Sequence, residues 1–203
     1  FLDKVGRDKA QLIMHTDPND QHGQNLSMIA SDYGMENDHR IILSTQKVPP
    51  EILSILYNFA DCTINISDAE GFGLATLESL SCETPIIVSM TGGLQEQVTD
   101  GKEWFGIGIE PASKAIIGCQ QVPYIYEDRI SKEDFKKALH EMYSKSEDER
   151  EELGKKGRAH VEANYGFDTF AERWIEIIDD IVENKSSWEN RKGYDSWQIK
   201  EIA

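Results

Sequence analysis

Apolar positions along this chain fall into two alternating rhythms. Short apolar runs or alternations at 11–15, 39–44, 62–67, 85–89 and 106–109 have strand length and strand period. Between them, 26–33 and 50–59 carry helical spacing. The second opens on Pro49-Pro50, and proline in a first helical turn forfeits no hydrogen bond. Residues 1–7 read as the end of a helix and 16–24 as a polar loop. Strands alternating with helices predict an α/β fold with a parallel, doubly wound, Rossmann-like sheet, whose ligands sit at the carboxyl ends of the strands.

Past Asp100-Gly101 the alternation breaks. Residues 110–131 are too long for an ordinary strand-to-helix loop. Their content, including Cys119-Gln-Gln-Val-Pro-Tyr-Ile-Tyr126, predicts a segment that packs, either as a flap near a ligand or as a surface insertion. Ser131 reads as an N-cap with Asp134 in the first turn, and three helices are expected from there to Lys185. Leu153-Gly-Lys-Lys-Gly157 reads as an irregularity and Tyr165-Gly166 as a stop. The tail opens with Ser186-Ser-Trp188-Glu189, a capping box, then pairs Tyr194 with Trp197 and Ile199 with Ile202 on one helix face. The expected division is 1–185 as one Rossmann-like domain and 186–203 as a C-terminal helix.

The densest chemistry lies in Glu70-Gly-Phe-Gly-Leu-Ala-Thr-Leu-Glu78, between the 62–67 run and Thr84-Pro85-Ile-Ile-Val88. It reads as strand, glycine turn, helix, proline stop, strand. A helix opening at about Gly73 presents unpaired N–H groups and the positive end of its dipole, which suit a phosphate or diphosphate. Gly71 and Gly73 lack a Cβ and let a ligand reach the main chain. Glu78 falls about one and a half turns into the helix, ~8 Å along its axis, so the two carboxylates bracket the turn. Carboxylates accept paired sugar hydroxyls well and are poor neighbours for phosphate. Two sugars with a diphosphate between them describe a nucleotide sugar.

Together with Thr91-Gly92-Gly93-Leu-Gln-Glu96, this stretch resembles the donor-binding half of retaining glycosyltransferases of the GT-B fold, of the family-4 or group 1 type that includes bacterial mannosyl- and glucosyltransferases. The resemblance spans residues 10–184. It implies that Glu70, the expected catalytic residue, lies at the donor sugar hydroxyls and Glu78 at the ribose. It further implies that the main chain of Gly71, Phe72, Gly73 and Leu74 meets sugar and diphosphate, and that Lys47 and Val48 face the base. Gly92 and Gly93 form an anion nest, the floor of the sugar pocket or a plain turn. The Phe72 side chain is expected to plug the core. The implied donor is UDP- or GDP-linked, with no cofactor and no metal. The chain departs from the family twice: Glu83, read as a surface helix end, stands where glycine is common before Thr-Pro, and the basic pair that clamps the diphosphate lies upstream of residue 1. A GT-B enzyme needs two such domains. The chain is therefore expected to be the C-terminal half, inactive alone, with a missing N-terminal acceptor domain of the same polypeptide against its last helix and self-association through that exposed surface. The alternatives are a non-catalytic nucleotide-sugar-binding module and a GT-B-fold epimerase.

The formal net charge of −16 argues against nucleic acid and anionic lipid as partners. Much of the acid sits in 144–152 and 174–180, read as solvated helix faces. Cys62, Cys82 and Cys119 are odd in number and lack CxxC spacing, which suits a reduced, cytoplasmic setting. No apolar run approaches the roughly 18 residues of an integral membrane segment. His15, Asp17, Asp20 and His22 lack metal-ligand spacing. A dinucleotide fingerprint fails as well, because Thr76 replaces its third glycine and Met90-Thr91 stand where an acid should end the next strand.

Overall fold

A computed structural model describes residues 1–21 and 23–185. His22 and the tail features at 186–203 (the capping box and the Tyr194/Trp197 and Ile199/Ile202 pairs) lie outside the described residues. The chain runs α1 (Leu2–Val5), β1 (Leu12–His15), α2 (Leu26–Asp32), β2 (Ile41–Ser44), α3 (Pro50–Phe59), β3 (Thr63–Asn65), α4 (Leu74–Ser81), β4 (Ile86–Ser89) and α5 (Leu94–Val98). It continues through β5 (Gly106–Ile109), β6 (Ser113–Ile116), β7 (Tyr126–Arg129), α6 (Lys132–Ser144), α7 (Glu147–Tyr165) and α8 (Phe167–Asn184).

The parallel strands divide into two ladders, β1–β2 and β3–β4–β5, where one sheet was expected. Only the second is deeply packed. β4 is buried along its whole length, and a strand covered on both faces reads as an unbroken apolar run, here Ile86-Ile87-Val88. Alternate side chains feed two cores. Ile86 and Val88 join Leu80, Leu94, Val98 and Phe105 on the side of α4, α5 and α7, whereas Ile87 joins Ile107, Ile109, Ala138 and Met142 on the side of α6. Each fully buried Leu, Ile or Val contributes about 1.5–3 kcal/mol. None of α1, α2, α3, β1 or β2 carries a buried residue, so the fold's stability is concentrated from α4 onward.

Three features differ from the sequence reading, and a fourth adds to it. β3 ends at Asn65 because the Asn65 carboxamide oxygen accepts from the Ser67 N–H and hydroxyl, which turns the chain out of the ladder. Residues 110–131 contain an antiparallel hairpin, β6–β7, in register from Ser113↔Arg129 to Ile116↔Tyr126. The 153–157 irregularity is absent: α7 runs through it, capped by a Ser146–Glu149 capping box. Its glycines are contact points, since a Cβ on Gly154 would lie 1.8 Å from the Glu83 carbonyl and one on Gly157 2.4 Å from Leu80 Cδ2. Finally, Glu83 adopts φ 60°, alone among non-glycine residues described, in the left-handed conformation that glycine favours after a helix.

Candidate functional site

The loop from β3 to α4 carries Glu70, and neighbouring side chains set its path. Asn65 Nδ2 donates to Glu70 Oε2 at 3.4 Å, and the Ser89 hydroxyl at the end of β4 donates to the Ser67 carbonyl at 2.6 Å. The loop is thereby stitched to the carboxyl ends of two adjacent strands, where ligands of such sheets bind.

Gly73 caps α4 at φ 89°, and a Cβ there would fall 2.6 Å from Leu94 Cδ2 and 2.9 Å from Thr76 Oγ1. Glycine is required both for the dihedral and for the space. Behind the turn Gln97 is fully buried. Its Nε2 donates to the Phe72 carbonyl at 2.5 Å, and its Oε1 faces the Thr76 hydroxyl, which also lies 2.7 Å from the Gly73 carbonyl. The Thr76 proton is shared between the Gly73 carbonyl and Gln97 Oε1, and the buried amide thereby ties both sides of the turn.

Gly92 and Gly93 come directly against this loop. A Cβ on Gly92, at φ 49°, would stand 1.7 Å from the Glu70 carbonyl oxygen, and one on Gly93 2.7 Å from that of Phe72. That backbone contact accounts for both glycines. Gly71 differs: it is exposed, and beyond its own chain neighbours no atom lies within 4 Å of where its Cβ would stand. The outer side of the turn is open while its inner side is filled.

Glu78 is exposed on α4, and the Tyr57 hydroxyl on α3 donates to its Oε2 at 2.9 Å. Burial first, then this carboxylate, pushes the Tyr57 phenol well above its ordinary pKa. Phe72 does not plug the core. It is 49% exposed and meets Tyr165 edge-on at 5.9 Å, because Leu94, Thr76 and Gln97 already fill the space behind the turn. Leu74, at the first position of α4, is exposed. Lys47 and Val48 lie between β2 and α3, and Lys47 is exposed with no ion pair among the described residues. No lysine or arginine among the described residues pairs with Glu70 or Glu78. Asn65, Tyr57 and Gln97 are the contributors that the sequence reading missed; the one signal was a polar residue at the end of an apolar run or on an apolar helix face.

Two cavities of about 540 Å³ lie elsewhere, one beside Arg7, Asp38 and Arg40, the other beside Glu96, His160 and Arg173, and neither is lined by Glu70 or Glu78. Glu70 is half-buried and Glu78 exposed. Among the described residues no three His, Cys, Asp or Glu side chains gather as metal ligands. His15 Nδ1 instead pairs with the Ser44 hydroxyl, and Asp17 closes a turn on the Asn19 N–H. No described helix is long and apolar enough to cross a membrane.

A model of the family described as glycosyl transferases group 1 matches residues 19–160. The D-inositol 3-phosphate glycosyltransferase of Acidothermus cellulolyticus is 34% identical over 93 residues, which cover 45% of this chain and 20% of that protein. The chain thus matches about one fifth of that relative's length. Among solved structures, a sucrose-phosphate synthase from Thermosynechococcus elongatus superposes with a TM-score of 0.64 at 21% identity, covering 85% of this chain and 38% of its own. A glycosyltransferase from Rickettsia africae gives a TM-score of 0.68 at 17% identity, covering 91% and 43%. These two likenesses show the fold.

Proposed function

This chain belongs to the glycosyl transferases group 1, and on that premise we propose that it is the donor-binding half of a retaining enzyme that moves a sugar from a nucleotide diphosphate carrier to an acceptor. Glu70 accepts hydrogen bonds from the donor sugar and Glu78 from the ribose. The main chain of residues 71–74 meets the diphosphate, Lys47 and Val48 face the base, and Gly92 and Gly93 line the sugar side. One observation carries this reading: the glycine turn is packed rigidly from behind by Leu94, Gln97 and the 91–93 backbone, yet stands open in front at Gly71. A main-chain cradle held from one side and open on the other suits a ligand that meets the main chain.

In such an enzyme the acceptor attacks the face of the sugar from which the diphosphate departs. The C–O bond to the diphosphate breaks as the new glycosidic bond forms, and the leaving phosphate oxygen takes the acceptor's proton. The task of the turn is to hold the diphosphate and stabilise charge developing on it. Glu70 orients the sugar so that attack and departure share one face. The acceptor site belongs to a second domain of the same polypeptide, which would also cover the apolar side chains that α8 exposes, among them Phe170 and Trp174. The carrier is UDP or GDP, and the setting is the cytoplasm.

Calorimetry with UDP, GDP and their hexose conjugates tests the assignment. Glu70→Ala should erase the extra affinity that the sugar brings, while Glu78→Ala should weaken conjugate and bare nucleotide alike. Wild-type binding by both variants would refute it. In a two-domain protein, Glu70→Ala should abolish transfer, and product formed without any acceptor would identify an epimerase instead.

A further inference from the structure

The hairpin that the sequence did not announce is fastened at its base to both turns of the site. The Asp128 N–H donates to the Asp68 carbonyl at 2.8 Å, and Asp128 Oδ2 accepts from the Thr91 hydroxyl at 2.8 Å. Arg129 Nη1 lies 3.0 Å from Asp68 Oδ2, while Nη2 donates to Glu127 Oε2 at 2.7 Å. Asp68 stands two residues before Glu70, and Thr91 one residue before Gly92. Asp128 therefore holds the two loops at one fixed separation.

These polar contacts add to the backbone packing of the 91–93 turn. Residues 66, 68, 69, 71 and 72 of the Glu70 loop are exposed, so apolar burial cannot position it. The hairpin brings no buried residue of its own, and Ile116 and Tyr126 are mostly exposed. A segment that merely padded the surface would pack through such side chains; this one engages through its polar base. The Thr91–Asp128 bond is also sheltered, with Thr91 only 5% exposed and the Asp128 side chain 17% exposed, and charge-assisted bonds strengthen away from water. Lys114 Nζ, 3.7 Å from Asp128 Oδ1, offsets the carboxylate's charge.

We infer that Asp128 and Arg129 are positioning residues for sugar transfer: from the inserted hairpin they hold the Glu70 loop and the 91–93 turn in the arrangement that places the Glu70 carboxylate at the donor sugar. The inference rests on the reading of Glu70 as the sugar-binding acid, and it converts the 110–131 insertion into part of the donor site.

The test is calorimetry on the whole chain with UDP, GDP, UDP-glucose and GDP-mannose, for wild type, Asp128→Ala, Arg129→Met, Thr91→Val and Thr91→Ser. Asp128→Ala and Thr91→Val should each lower affinity for the preferred conjugate about tenfold, the size expected for a lost hydrogen bond to a charged group, and leave the bare nucleotide within about twofold. Arg129→Met should act in the same sense, and Thr91→Ser, which keeps the hydroxyl, should restore wild-type behaviour. Equal losses for conjugate and bare nucleotide would mean that the hairpin only stabilises the fold, and would overturn the inference. So would a wild-type preference for the conjugate that survives Asp128→Ala and Thr91→Val. A wild type that binds conjugate no better than nucleotide would instead remove the donor-site reading itself. Should Asp128→Ala not fold, the near-isosteric Thr91→Val decides alone, with faster amide exchange at residues 68–72 as its independent readout.

Discussion

Adding one methyl group at Gly92 puts the proposed architecture under a quantitative load. The new Cβ would start 1.7 Å from the Glu70 carbonyl oxygen, and a tolerable contact needs the two turns to part by about 1.3 Å. Alanine at φ 49° also carries left-handed strain of ~1 kcal/mol. Overpacking a tight contact adds about 1–2 kcal/mol, so Gly92→Ala should cost about 2–3 kcal/mol and lower the melting temperature by about 5–10 °C. Far-ultraviolet circular dichroism should stay native below the transition. The functional consequence is larger in proportion. A displacement near 1 Å of a group that orients a reacting sugar costs on the order of 100-fold in transfer, and the sugar-dependent part of donor affinity should fall with it. Melting curves and donor calorimetry on the same sample read both effects. A variant that melts with the wild type and binds donor equally well would show that the two turns do not touch, and the brace on the Glu70 loop would be gone.

Gln97→Leu should destabilise by about 2 kcal/mol, since it deprives the Phe72 carbonyl of its donor, and denaturant titration should show this without a change in cooperativity. Glu83→Gly should instead stabilise by about 0.5–1 kcal/mol by relieving the φ 60° strain, the half-exposed pairing with Arg158 being worth little; an unchanged or lower melting point would count against that conformation. Burial, helped by Asp61, pushes the Cys62 thiol from 9.0 up to about 11. Because the folded value is the raised one, this contribution is complete below pH 9.0 and is lost as pH climbs towards 11. Between pH 8 and 10.5 the wild type should lose about 2 kcal/mol more than Cys62→Ala in urea melts. At neutral pH a thiol reagent should modify exposed Cys119, whose pKa the Val122 and Gln121 N–H groups lower, well before Cys62.

What was legible in the sequence is what local pattern and punctuation encode. Ile86-Ile87-Val88 announced a strand, Pro49-Pro50 placed the start of α3 to the residue, and Ser131 capped α6 as read. The turn at residues 70–73 was visible because few structures need two glycines between a strand and a helix. What stayed hidden depends on partners distant in sequence. Strands of four residues such as Ser113–Ile116 and Tyr126–Arg129 have no buried face, hence no period to detect. Gly154 and Gly157 look like helix breakers until Glu83 and Leu80 are seen pressed against them. Gln97 looks like an ordinary helix surface residue until Phe72 and Thr76 close around it. The exposed Phe72 followed from the same ignorance, since the space assigned to its ring belongs to Leu94.

The two acids are held by parts of the molecule of unequal firmness, and this bears on how a donor would be gripped. Glu70 belongs to a loop tied to β3, β4, α5 and the hairpin, and those ties converge on side chains that are wholly or largely buried: Ser89, Thr91 and Gln97. Glu78 shares the firm helix α4, but its orienting partner Tyr57 comes from α3, which carries no buried residue. Free energy of local opening follows such differences in packing. On the proposed assignment of Glu70 to the sugar and Glu78 to the ribose, the sugar end of the site is preorganised and the ribose end adjustable. For a transferase that order makes physical sense: orientation at the breaking bond governs the rate steeply, whereas the ribose needs only to be retained. On the same assignment, α3 could adjust to the nucleoside without straining the turn proposed to hold the reacting sugar.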